Sequence, residues 1–156
     1  MDKLLKKIAS RLKSKEKQED YKLSEENALE EICRFLEYYD IDMSRLEVTK
    51  NTEAAGESIL NSLVRYFRLG KLKIEQNEKD FFVVQTLESG TEIRYKEPTA
   101  KIKRIMDKCA PDENRTKLYI FMGALTEKGI GLDGIDQLNV RDLAVLEVLG
   151  NLFLLA

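Results

Sequence analysis

The chain contains no histidine. That absence removes the usual general base, the commonest metal ligand and the partner on which most serine and cysteine nucleophiles depend. Cys33 and Cys109 stand far apart and in no CxxC pair, which points to two reduced, partly buried thiols. Carboxylates are plentiful: Glu25/Glu26, Glu30/Glu31, Asp40/Asp42 and Asp133/Asp136. A dyad of this kind can do acid–base work, and Asp40 with Asp42 has the spacing to hold a hard cation. On helix faces and helix ends, however, such pairs are ordinarily solvated. Tyr38-Tyr39 and Tyr66-Phe67 lie near Arg34, Arg65 and Arg68, so stacking on nucleic acid is conceivable. Helical spacing turns one member of each pair to the core, which is the simpler reading. Gly129-Ile-Gly-Leu-Asp-Gly134 follows a helix rather than a strand, so it is read as a connector and not as a dinucleotide loop. No catalytic residue, cofactor or metal is expected.

Length and charge set the frame for these residues. A chain of 156 residues makes about one domain with a core of its own. Net charge is −2, so no global field favours nucleic acid. The first 17 residues are an exception, with Lys3, Lys6, Lys7, Arg11, Lys13, Lys15 and Lys17 facing only Asp2 and Glu16. No apolar run is long enough to span a bilayer, and the basic N-terminus lacks the apolar centre of a signal peptide. A cytoplasmic location is therefore expected.

The elements follow from periodicity and punctuation. Residues 2–18 can form a basic amphipathic helix through Leu4, Leu5, Ile8 and Leu12. It is either a solvated arm or a docking helix for an acidic or apolar partner or for a membrane surface. Ser24 caps a helix over 25–39 whose stripe is Ala28, Leu29, Ile32, Cys33, Leu36 and Tyr39, with Asp40-Ile41-Asp42 as its break. Thr52 caps a second, over 53–69, with Ala55, Ile59, Leu60, Leu63, Val64 and Phe67 inward; Gly70 is its C-terminal stop, and Arg65 and Arg68 suit the dipole of its last turn. The period then drops to two. Residues 71–76, 81–88 and 91–96 read as an antiparallel meander with turns at Asn77–Asp80 and Ser89-Gly90, one face wet and one packed on helices. Thr99 starts a helix over 100–109, Pro111 another over 112–127, and Asn139 a last one over 140–155. Eleven of the fourteen residues from Leu143 to Ala156 are apolar. Such a helix is either the centre of the core or part of an interface. The expected fold is α+β and predominantly helical, with helices packed on a small three-stranded antiparallel meander. Its domains would be a basic arm over 1–20 and a single domain over 21–156, helical over 24–69 and 99–155 around the meander at 71–96.

The second half carries a further pattern. A strand of charged–aromatic alternation runs into a Pro-Thr helix start (TEIRYKEPTAKIKRIMDK), then a helix with Leu118, Phe121 and Leu125, then a Gly-rich stop. Ile135-Asp136-Gln137-Leu138 and Val140-Arg141-Asp142 follow, opening an apolar helix that reaches Phe153-Leu154. Over about residues 83–156 this resembles the tail assembly chaperones of tailed bacteriophages. Residues 1–70 have no counterpart in the shorter members of that family.

The resemblance implies a non-enzymatic phage or prophage protein of the host cytoplasm. It would coat and solubilise the long, helical tape-measure protein, self-associate, and be displaced as tail-tube subunits polymerise. Some members are made in two lengths by a frameshift, and the ending LFLLA would fit a short form. A holder of amphipathic helices needs an apolar groove with a polar rim. Leu118, Phe121, Met122, Leu146, Leu149, Leu152 and Phe153 are the residues expected to line it, their other role being ordinary core. The alternative is a nucleic-acid-binding or structural adaptor protein using the basic arm; beyond that arm, neither nucleic acid nor membrane is expected as a partner.

Overall fold

In the computed structural model, residues 2–13, 20–42, 52–106 and 114–154 are described, with side chains reported for all of these except 8–13 and 52–57. Among the described residues, seven helices and a three-stranded antiparallel sheet make the fold α+β and mostly helical, as the periodicities suggest. The chain divides into two compact units, Met1–Leu72 and Lys73–Leu154.

The first unit is helical. α1 (Asp2–Lys13) packs against α3 (Thr52–Arg68), and α3 against α2 (Glu25–Tyr38). Ser24 caps α2 as expected, its Oγ accepting the Asn27 N–H at 3.1 Å. α2 stops in a Schellman arrangement: Ile41 N–H reaches Leu36 C=O at 2.9 Å, Asp40 N–H reaches Glu37 C=O at 3.2 Å, and Asp40 takes a left-handed φ of 51°. α3 ends the same way on Gly70 (φ 78°), with Lys71 N–H on Tyr66 C=O at 2.9 Å. A Cβ at Gly70 would sit 3.0 Å from Lys22 Cδ, so the left-handed φ and not the space is what favours glycine there.

One detail of this unit's core differs from expectation. Ala28, Ile32, Leu36 and Tyr39 are buried, but Cys33 faces outward and Phe35 is the inward residue instead. Phe35 and Tyr39 then meet edge to face at 5.4 Å between ring centres. Arg68 lies in the last turn of α3, as expected. It is buried beside the Tyr21 ring, 3.9 Å from its centre, and its Nε donates to Leu23 C=O at 3.1 Å. Of the aromatic pairs, Tyr38 is exposed while Tyr39 is buried, whereas Tyr66 and Phe67 are both buried. The Ala55 side chain, the Thr52 cap, the Pro111 helix start and Cys109 lie outside the described residues.

The second unit builds on strands β1 (Leu72–Gln76, its first residue belonging to the first unit), β2 (Phe81–Thr86) and β3 (Glu92–Tyr95), in the order β1-β2-β3. The turn at Asn77 is closed by its own side chain, whose Oδ1 accepts Lys79 N–H at 2.9 Å and Asp80 N–H at 2.7 Å. In the β2–β3 hairpin Val83 faces Tyr95 and Thr86 faces Glu92; Gly90, with φ 91°, supplies the left-handed residue of the loop. Four helices complete the unit: α4 (Ala100–Ile105), α5 (Asn114–Leu125), α6 (Gly131–Asp136) and α7 (Val140–Phe153). Thr99 and Asn139 cap α4 and α7 as expected, their side-chain oxygens accepting Ile102 N–H at 3.3 Å and Asp142 N–H at 2.8 Å. The glycine-rich segment is not a plain connector, since Gly131–Asp136 forms α6 against α5. Gly123 makes that contact possible, because a Cβ on it would lie 2.9 Å from the Gly131 carbonyl carbon.

Candidate functional site

The seven residues expected either to line a groove or to form ordinary core are mostly interior. Phe121, Met122, Leu146, Leu149, Leu152 and Phe153 are completely buried, and Leu118 is half-buried. α5 packs directly on α7 through a glycine: a Cβ on Gly150 would lie 2.6 Å from Leu118 Cδ1 and 3.1 Å from Met122 Cγ. Phe153 in turn reaches Tyr95 of β3, ring centres 6.4 Å apart. The apolar stripe is thus interior. Each fully buried Leu or Phe contributes roughly 1.5–3 kcal/mol, so opening α5 from α7 would forfeit much of the unit's stability.

A polar network crosses this interior, and sequence reasoning missed it. Gln85 sits at an inward strand position and is fully buried. It is satisfied at both ends of its amide: Tyr95 Oη donates to Oε1 at 2.6 Å, and Nε2 donates to Asp142 C=O at 2.8 Å. The Asp142 carboxylate, itself almost buried, accepts the Glu88 backbone N–H in the β2–β3 loop at 3.1 Å. Glu88 returns outward bonds to Asn139 (3.5 Å) and Arg141 (3.3 Å). Burial pushes the Tyr95 phenol far above its ordinary pKa, and the nearby Asp142 charge adds to this. Each buried polar atom named here has a protein partner, which is what a structural latch between the start of α7 and the hairpin requires.

Among the described residues, an opening with the geometry of a binding site lies elsewhere in the same unit, at the outer edge of β3. The segment Thr91–Arg94 forms one wall and Thr126–Lys128 with Ile130 the other, around a cavity of about 140 Å³. Thr126 builds the second wall. It is buried, donates its hydroxyl to Gly123 C=O at 2.7 Å and accepts Ile130 N–H at 2.9 Å, so the end of α5 is stitched to the loop that follows. The same segment pairs briefly with β3: Lys96 N–H bonds Leu125 C=O and Glu127 N–H bonds Arg94 C=O, both at 2.7 Å. The chain then turns away at Gly129, φ 61°. No feature of the sequence marks this edge except the alternation of β3 itself.

Two charged residues of β3 that line the opening are paired across the sheet. Glu92 bonds Lys73 at 2.6 Å, and Arg94 bonds Glu75 at 3.0 Å, so both long side chains reach across β2 toward β1. The hydrogen bond that Lys73 donates to Glu92 lowers the Glu92 pKa and raises the Lys73 pKa; the bond Arg94 donates to Glu75 raises that of Arg94. The acidic pairs of the sequence form no such site. Among the described residues no group of three His, Cys, Asp or Glu could hold a metal ion, and Asp40 serves as the left-handed residue that ends α2. No helix among them is long and apolar enough to cross a membrane. Comparisons of the chain with protein-family models, with curated proteins and with solved structures found no match.

Proposed function

We propose that the chain is a polypeptide-holding protein of the tail-assembly-chaperone type, which binds the helical tape-measure protein and keeps it soluble while a phage or prophage tail is built. The observation that carries this reading is that the resembling stretch lies within one structural unit. The stretch whose motif order resembles that family, residues 83–156, falls almost wholly within one compact unit, Lys73–Leu154. Its motifs also do structural work there. Thr99 of the Pro-Thr start caps α4, and Asp142 at the opening of the last helix ties α7 to the hairpin.

In this reading the folded unit holds its partner on the outside, because the apolar residues of α5 and α7 are engaged with one another. The helical unit Met1–Leu72 is then an addition with a contact surface of its own. The protein acts in the bacterial cytoplasm, without catalysis or cofactor, and self-associates along its long partner. The test is co-expression with a phage tape-measure protein. The expected result is that the long protein moves from the pellet to the soluble fraction and co-purifies with this chain.

A further inference from the structure

The β3 edge is half covered and half open, and its hydrogen-bonding groups can be assigned one by one. Leu87 N–H bonds Thr91 C=O at 2.8 Å, so in the antiparallel ladder Ile93 and Tyr95 direct their backbone groups toward β2. Glu92, Arg94 and Lys96 must direct theirs outward. The covered half agrees, since Lys96 N–H and Arg94 C=O are the groups that Leu125 and Glu127 satisfy. Among the described residues nothing meets the Arg94 N–H or the Glu92 N–H and C=O. Beside these three groups lies the cavity, with Ile93 on one wall and Ile130 on the other. The salt bridges to Lys73 and Glu75 draw the Glu92 and Arg94 side chains over the sheet, which clears the edge that charged residues usually guard.

We infer that the open half of the β3 edge binds an extended peptide by strand addition, antiparallel to β3, with one apolar side chain seated between Ile93 and Ile130. Main-chain groups in a row recognise an extended backbone, and the pocket beside them reads alternate side chains. An apolar cavity of about 150 Å³ accepts a molecule the size of benzene, so this one takes a branched aliphatic or a ring. The residue that pairs with Glu92 projects onto the charged face of the sheet and is not acidic. That requirement selects a foreign peptide over a second copy of β3. A two-fold pairing centred on Glu92 sets Glu92 against itself, and one centred on Ile93 needs the Arg94 C=O that Glu127 already holds. The inference rests on the polypeptide-holding reading only for the class of its ligand.

The experiment uses the full chain and a displayed library of random linear dodecapeptides as the probe, followed by amide hydrogen exchange with the selected peptide. The expected result is selection of peptides alternating apolar with non-acidic residues, and slowed exchange at the Glu92 and Arg94 amides. Glu92→Pro removes an outward donor without touching the bonds to β2 and should weaken binding about tenfold, whereas Glu92→Gln should bind like the parent. If Glu92→Pro fails to fold, the exchange pattern of the unsubstituted protein decides. Failure to select any peptide, or a selected peptide that leaves Glu92 and Arg94 exchange unchanged, overturns the inference. Should the tape-measure protein be solubilised under that same outcome, strand addition falls and the chaperone reading stands. Peptide binding at β3 with an insoluble tape-measure protein gives the reverse.

Discussion

Gly150 of α7 lies directly beneath Leu118 of α5, so close that a single added Cβ would come within 2.6 Å of Leu118 Cδ1. The closeness of the two helices is therefore set by a missing side chain. Gly150→Ala should destabilise the protein by about 1–3 kcal/mol through overpacking. Leu118→Ala in the same chain should recover part of that loss, so the double variant is more stable than the sum of the single ones. Urea unfolding of the four proteins checks this, and strict additivity would count against the contact.

Asp142 is expected to act through its carboxylate oxygens and not through its charge on the surface. Asp142→Ala leaves the Glu88 N–H without its acceptor and should cost about 1–3 kcal/mol. Asp142→Asn keeps one acceptor oxygen and should cost clearly less. Faster amide exchange at Glu88 in the alanine variant would place the loss at the hairpin loop, where the structure puts it.

Tyr95 ties stability to alkaline pH. Its folded pKa lies above the ordinary value of 10.0, chiefly through burial. The stabilisation it contributes is complete below the unfolded pKa and declines as pH rises from there toward the folded value. Stability measured against pH should fall from pH of about 10 upward, and this component of the fall should vanish in Tyr95→Phe. Glu92 works in the opposite sense. Its pKa is lowered by Lys73, so its contribution is present above the unfolded value and is lost as pH falls through the folded one. Side-chain NMR titration should find Glu92 below its ordinary 4.5, and Lys73→Met should return it upward.

Asp40 holds a left-handed φ of 51° at the end of α2. For a residue with a Cβ that conformation costs roughly 1–2 kcal/mol. Asp40→Gly should thus be neutral or stabilising, and Asp40→Val destabilising, in thermal unfolding.

Much of this fold was legible in the sequence because its signals are local. Ser24, Thr99 and Asn139 are caps that act within three residues, Gly70 ends a helix through its own φ, and the drop in period to two marks the hairpin strands. What was not legible depends on distant partners. An apolar stripe shows which face of α5 and α7 is buried but not what buries it, so Leu146 or Phe121 reads equally as groove or core. Gln85 appears as a polar residue on an inward face until Asp142, 57 positions away, is seen beside it. The short helix α6 hides in glycines, because its placement depends on the absence of a Cβ at Gly123. The open edge of β3 is a property of three backbone groups and has no residue type of its own.

The claim on which the functional reading turns is that this chain takes hold of another polypeptide. Sedimentation velocity of the purified full chain, mixed with purified tape-measure protein over a range of ratios, measures it directly. The account predicts a fast-moving complex whose size grows with added chain until the long protein is coated. Two boundaries that sediment independently at every ratio would contradict it.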